Sequence, residues 1–550
     1  MSLLVDLFGY LSIVLHGLTI VAQSMTLGGV LFLALLARPL QRPLGAPGDA
    51  IIQGCVRITA WSALGLVLCE AATVALQAAV LVGTVDLSVL DILGANFAIA
   101  GMVKTAMAAL IGLILVARGT RASISLLLIL GAVELAAATL TTHAAARLAD
   151  RAILLLVAGL HQLGAAIWVG GLPCFLLALA RVSEGVAWRL VGARFSRMSM
   201  TGVACILASG IVMSLYYVGS WDGFYGTAYG VMVGAKIAMF LMLLGLGGMN
   251  FLLVERLRGS PETPVNRLKR FAEVEVGIGF TIFFAAASLT SVPPAVDLTQ
   301  DRVSFHEIVE RNTPVWPRLA SPDHDVLALP ALQAQLDQQA KKSHTHEVEA
   351  FTPGAGELAP RNAADIAWSE YNHHWAGIFV LAIGLLALLN QAGLRWARHW
   401  PLLFLGLAGF LFVRSDPENW PLGHIGLIES LRDVEVLQHR VFVLLLIAFA
   451  LFEWRVRVSA RPRPLASLVF PLICAGGGAL LLTHSHAIAN IKDALLIELT
   501  HTPLALCAVL AGWSRWLELR LGPPGNRIAG WVWPVCLLLV GLLLLNYREA

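Results

Sequence analysis

Fifteen histidines are the residues of this sequence most suited to metal chemistry. Neutral imidazole is the commonest side-chain ligand of transition metals and also an axial ligand of haem. Ionisable side chains within apolar segments are costly in a membrane and tend to mark a pathway or a site. We therefore predict metal ligands among the histidines at or near the ends of apolar runs. These are His16, His143, His161, His374, His439, His484, His486 and His501.

Methionine positions narrow the choice of metal. All 11 methionines lie at or before Met249, in the same half of the chain as the first three of those histidines. Thioether and imidazole ligands together suit copper, above all Cu(I), better than magnesium or calcium. Methionine is also a common filler of apolar cores, so the pattern predicts copper only in combination with the histidines.

The elements that must position these residues are membrane helices. The chain of 550 residues is 58% hydrophobic and 13% charged, whereas a soluble domain carries about 25% charged residues. A membrane-spanning helix needs about 20 apolar residues. We predict an all-α polytopic membrane protein with about fourteen such helices. They lie near 7–37, 51–83, 95–117, 123–143, 152–181, 199–219, 229–256, 272–292, 375–393, 400–413, 437–454, 464–486, 494–514 and 528–546.

Loop charges predict the orientation of the helices. Loops that follow odd-numbered helices collect basic residues, as at Arg38 and Arg118, whereas alternate loops carry acidic residues such as Asp222. Because cytoplasmic loops retain positive charge, both termini and the polar stretch at 293–373 are predicted to lie outside. Every histidine except His399 then falls on the outer side.

The first eight predicted helices resemble two copies of a four-helix unit. Lys104-Thr-Ala-Met107 in the third helix matches Lys236-Ile-Ala-Met239 in the seventh, and the first and fifth helices carry His16 and His161. Parallel repeats of this kind place a site between them. We predict two tandem four-helix repeats, an external polar segment and a six-helix His-rich domain. Their boundaries are 1–150, 151–295, 296–372 and 373–550.

Other residues within the apolar runs have structural interpretations. Lys104 and Glu134 lie at similar depth and predict an ion pair. Gly28 and Gly170, each one of two adjacent glycines, predict close helix packing. Five intramembrane ionisable residues are also candidates for ion passage. They are Glu70, Lys104, Glu134, Lys236 and Glu275.

Several motifs resemble the copper resistance D (CopD) family over about 150–295, and 1–150 resembles it less closely. They are the run His161–Gly171, Arg194-Phe-Ser-Arg197, Gly226-Thr-Ala-Tyr229-Gly230 with Lys236, and Ser288-Leu-Thr-Ser-Val-Pro-Pro. The second half resembles an extension found in longer members. The resemblance implies a bacterial inner-membrane protein that handles copper ions and moves them from periplasm to cytoplasm, so that the outer face, the termini and the polar segment are periplasmic.

The leading hypothesis is a copper-binding permease embedded in the lipid bilayer. Periplasmic copper would be collected near His344 and His346 or by a periplasmic copper-binding protein. Copper would pass to His16, His143 and His161 in the first half. A second outer cluster would combine His374, His439, His484, His486 and His501.

Two alternatives remain open. In a membrane b-type cytochrome, His374, His439 or His501, opposed by His484 or His486, would hold haem b through axial imidazoles. In a non-transporting copper store or docking platform, the helices would only anchor the sites.

The sequence also argues against two classes of function. The net charge of +3 offers no extended basic surface for nucleic acid. The external polar segment shows no nucleophile–base arrangement, so we predict no enzymatic activity and no catalytic residues.

Overall fold

The computed structural model describes residues 2–322 and 363–548, except for 86–87, 184, 300–301, 417–418, 424, 432–433, 462 and 484–490. The predicted ligands His484 and His486 lie outside the described residues, as does more than half of the predicted periplasmic segment. Among the described residues the secondary structure is helical, apart from one isolated bridge between Asn419 and Ile425.

Each predicted apolar stretch corresponds to a helix, which confirms the all-α polytopic fold. Ten helical stretches of the described residues are long and apolar enough to cross a membrane, and α4 and α12 are shorter apolar helices. The total of fourteen spans stays a prediction. The fourteen principal helices of the described residues are α1 (Ser2–Phe32), α2 (Ala46–Val85), α3 (Asn96–Arg118), α4 (Ile124–Thr139), α5 (Arg151–Ala165), α6 (Gly185–Tyr217), α7 (Ala228–Gly259), α8 (Asn266–Leu289), α9 (Ala363–Gln391), α10 (Leu403–Arg414), α11 (Val434–Val458), α12 (Val469–Leu481), α13 (Ile491–Arg520) and α14 (Gly525–Leu545).

The chain forms two compact units. The first is built on Met1–Arg302 and contains α1–α8, and the second takes most of the chain from Val303 onward and contains α9–α14. Within the first unit, α1 packs against α2, α8 and the π-helical segment Ala166–Gly170 that continues α5. Helices from both predicted repeats therefore pack together in one unit. The four-part division of the chain stays a prediction.

The buried arginine Arg457 of the second unit is paired with a carboxylate. The Arg457 guanidinium lies 2.7 Å from the Glu453 carboxylate and 4.5 Å from the centre of the Trp400 ring. Trp400 and Trp533 are fully buried and stand in one core cluster with α9, α12 and α13 residues. An arginine inside a membrane bundle is costly unless it meets a carboxylate or an aromatic face, and Arg457 meets both.

A close helix crossing joins α1 to the end of α5. A Cβ atom added at Gly170 would overlap the Ser24 carbonyl oxygen of α1, and one added at Gly28 would overlap the Ala166 carbonyl oxygen. Helices in lipid associate through such close backbone approach, since lipid tails are as apolar as the helix surface. The packing role predicted for these two glycines agrees with this geometry.

We expect Gly170→Ala to destabilise the first unit by about 1–3 kcal/mol, because backbone cannot yield to an added methyl group as a flexible side chain can. Gly245→Ala in α7 is the matched control, since a Cβ there meets no atom within 4 Å. Thermal unfolding in detergent should show a lower midpoint for Gly170→Ala alone. Equal midpoints for the two variants would contradict the crossing.

Candidate functional site

A cavity of about 200 Å³ lies within the first unit. It is lined by His16 of α1, His161 of α5 and His143 of the short helix His143–Ala146 that follows α4. The three first-half histidines that the sequence grouped thus line one cavity. Their action as metal ligands stays a prediction.

The His161 ring is held by α6. Its Nδ1 lies 2.9 Å from the Ser209 hydroxyl oxygen, and that hydroxyl donates to the Cys205 carbonyl at 2.6 Å. Because the serine proton is engaged there, Nδ1 of the imidazole is the donor, and the lone pair lies on Nε2. Metal-binding histidines are commonly oriented in this way, by a hydrogen bond at the nitrogen that does not bind the metal.

His143 lies beside the Leu289 backbone at the end of α8. Its Nε2 is buried with no hydrogen-bond partner among the described residues. His16 lies near His143 and Lys104, which line the same cavity. Nε2 of His161 and Nε2 of His143 are therefore available to bind a ligand in the cavity.

Two glutamines connect the helices beside the histidines. The Gln23 side-chain nitrogen of α1 donates to the Gln162 side-chain oxygen of α5 at 2.9 Å, and both residues line the cavity. Sequence reasoning missed this bond and the Ser209 contact. Gln162 directly follows His161, which was the available signal for the first. Nothing local to Ser209 signals a partner 48 residues away.

The ion pair predicted between Lys104 and Glu134 is wrong. The Lys104 ammonium lies 2.7 Å from the Glu70 carboxylate of α2, and both side chains are almost fully buried. Both Glu134 carboxyl oxygens are buried without a hydrogen-bond partner in the described part of the chain. Depth along the helices could not choose between the two acids, since α3 packs against both α2 and α4.

The described residues contain no group of three or more His, Cys, Asp or Glu side chains that could hold a metal ion. His16, His143 and His161 line the same cavity without converging on one point. A metal ion there would meet part of this set at a time and would need further ligands.

His374 of the second unit is a hydrogen-bonded, buried residue. Its Nδ1 accepts from the Arg318 backbone N–H at 2.8 Å, and its Nε2 lies 2.9 Å from the Tyr547 carbonyl oxygen. A metal could reach this ring only if one of those bonds broke. The structure thus gives His374 a role in packing the second unit.

The remaining described histidines of the predicted second cluster have separate partners. His439 Nδ1 lies 2.7 Å from Asp416, which also lies 3.7 Å from Arg440. His501 makes an edge contact with the Tyr547 ring, with centroids 6.3 Å apart. Tyr547 is thus a neighbour of both His374 and His501, and the joint site of the second half stays a prediction.

We expect Glu70→Gln to destabilise the first unit by about 3–5 kcal/mol, because it leaves the buried Lys104 ammonium without its partner carboxylate. Glu134→Gln is the matched control, since Glu134 has no hydrogen bond to lose among the described residues. Thermal unfolding of both variants measures the difference. A larger loss for Glu134→Gln would contradict the pairing.

Comparison with known proteins identifies part of the first unit. Residues 189–289 match the family model described as "Copper resistance protein D". This segment covers most of α6 and the whole of α7 and α8, which carry Ser209, Lys236 and Leu289.

One curated relative is similar over part of its length. The "Copper transport protein CutJ" of Bacillus subtilis (strain 168) is 32% identical over 163 residues, which are 29% of this chain and 29% of the relative. The matched part therefore spans less than a third of that protein. No solved structure matches the chain. Through residues 189–289, this chain is similar to the copper resistance protein D family.

Proposed function

We propose that this protein binds copper in the cavity of its first unit and moves it across the bacterial inner membrane toward the cytoplasm. The observation that carries the proposal is the placement of His16, His143 and His161 on one cavity inside a bundle of membrane helices. The similarity to the copper resistance protein D family and to a copper transport protein favours copper as the metal.

The histidines would bind copper as neutral imidazoles. Ser209 holds the His161 ring with Nε2 as the basic nitrogen, and Nε2 of His143 has no hydrogen-bond partner among the described residues. The His161 ring therefore needs little reorientation to bind a metal, which reduces the cost of ordering it. Because the three rings do not converge, copper would pass between partial ligand sets as it crosses the cavity.

The proposed route runs inward from the periplasm. Basic residues mark alternate loops, and this asymmetry supports periplasmic termini and a copper supply on that side. His143 follows α4 at its predicted outer end, whereas His16 and His161 lie within α1 and α5. A periplasmic copper-binding protein is the partner we propose for delivery.

Haem is not proposed. His374, one of the predicted axial ligands, engages both ring nitrogens with backbone groups. Neither printed name among the comparisons refers to haem. A copper store or platform without transport is tested by the flux measurement below.

We expect His161→Ala to weaken copper binding by more than about 100-fold, since loss of a residue that only orients a ligand already costs about 10- to 100-fold. His306→Ala is the control, because that side chain is 88% exposed on a short helix of the second unit. Copper content and affinity of the purified proteins give the comparison, and copper flux into proteoliposomes tests transport. Unchanged binding in His161→Ala would remove the proposed site. Normal binding without flux would leave a store or platform.

Ser209→Ala should lower copper affinity by about 10- to 100-fold without changing the number of copper ions bound, since it frees the His161 ring to rotate and to change tautomer. Ser199→Ala in the same helix is the matched control, because the Ser199 hydroxyl is buried with no hydrogen-bond partner in the described residues. Titration with copper at a buffered free concentration measures both. Equal affinities for the two variants would contradict the orienting role.

A further inference from the structure

The cavity of the first unit has an unusual charge for a site that would take a metal cation. Its basic lining residues are His16, His143, His161, Lys104 and Lys236, and no Asp or Glu is among the residues that line it. Carboxylates usually balance the charge of a bound metal or of a buried lysine. Here the balancing negative charge must come from a carboxylate that does not line the cavity or from a bound ligand.

The two lysines differ in this respect. The Lys104 ammonium is balanced by the Glu70 carboxylate, which lies 2.7 Å away and does not line the cavity. Lys236, which occupies the corresponding motif of the second repeat, has no carboxylate within 4.0 Å in the part of the chain that the structure describes. The internal repeat thus supplies two cavity lysines, of which one is neutralised and one is not.

Lys236 lies beside a candidate copper ligand. It is close enough to His161 for its charge to act on that imidazole. A bare copper cation on His161 would face this ammonium in a membrane interior, where like charges repel far more strongly than in water. An anion at the same place would be attracted to both charges.

Among the described residues, copper in this cavity would not meet three histidine, cysteine or carboxylate ligands at one point. A small anion could fill a coordination position beside His161 and balance the Lys236 ammonium at the same time. Soft anions of the halide class suit Cu(I), as do soft protein ligands.

We propose that the cavity takes copper together with a small halide-class anion, which pairs with the Lys236 ammonium and occupies a copper coordination position. This inference rests on the proposed function, since it assigns the form in which copper is bound. Copper and anion then bind cooperatively, and each raises the affinity of the cavity for the other by the same factor.

Chloride is the probe for the test. The full-length protein in nanodiscs is titrated with Cu(I) at buffered free concentrations, in chloride and in gluconate. In parallel, retention of radioactive chloride is measured with and without copper. We expect chloride to raise copper affinity by about 5- to 150-fold, and copper to raise chloride affinity by the same factor.

Two substitutions of Lys236 locate the effect. Lys236→Met removes the charge, so it should abolish chloride retention and make copper affinity the same in chloride and gluconate. Lys236→Arg keeps the charge and should keep the chloride dependence. The wild-type reciprocity requires no variant, so a folding defect in Lys236→Met would not remove the test.

The outcomes separate the two proposals. Equal wild-type copper affinity in chloride and gluconate would overturn the anion inference and leave the copper site standing. Chloride dependence that persists in Lys236→Met would overturn the assignment to Lys236. Absence of copper binding in both media would overturn the proposed function, and the inference would fall with it.

Discussion

The close approach of α1 to the end of α5 is the contact on which the cavity depends. At Gly28 and Gly170 the two helices lie so close that neither position has room for a Cβ atom. In lipid such contact must come from close packing and from interhelical hydrogen bonds, because the hydrophobic effect does not favour one apolar partner over another. The Gln23–Gln162 bond supplies a hydrogen bond near this crossing. The close crossing and this hydrogen bond together bring His16 and His161, one from each predicted repeat, to one cavity.

Charge in this interior is balanced locally wherever the protein supplies both partners. Lys104 pairs with Glu70, and Arg457 in the second unit pairs with Glu453. Lys236 stands apart because no described carboxylate pairs with it, and it borders the cavity that we assign to copper. Isolated charge inside a membrane is costly and is retained where it serves a pathway or a ligand. The proposed anion would give Lys236 a negatively charged partner, as Glu70 is for Lys104 and Glu453 is for Arg457.

Much of the architecture was predictable from sequence because it follows from hydropathy. Apolar runs gave the helices, and the repeated Lys-x-Ala-Met motif indicated two lysines at equivalent places, both of which line the cavity. The sequence did not predict which helices are neighbours. Lys104 and Glu134 share a depth, but depth does not say which neighbouring helix supplies the partner. The partners of His374 could not be predicted for the same reason, since Arg318 and Tyr547 lie 56 and 173 residues away in sequence.

The most direct test of the account is the position of copper in crystals of the loaded protein, located by anomalous diffraction at the copper absorption edge. The account predicts an anomalous peak inside the first-unit cavity, within bonding distance of Nε2 of His161. A copper peak confined to the second unit or to the protein surface, with the cavity empty, would contradict it.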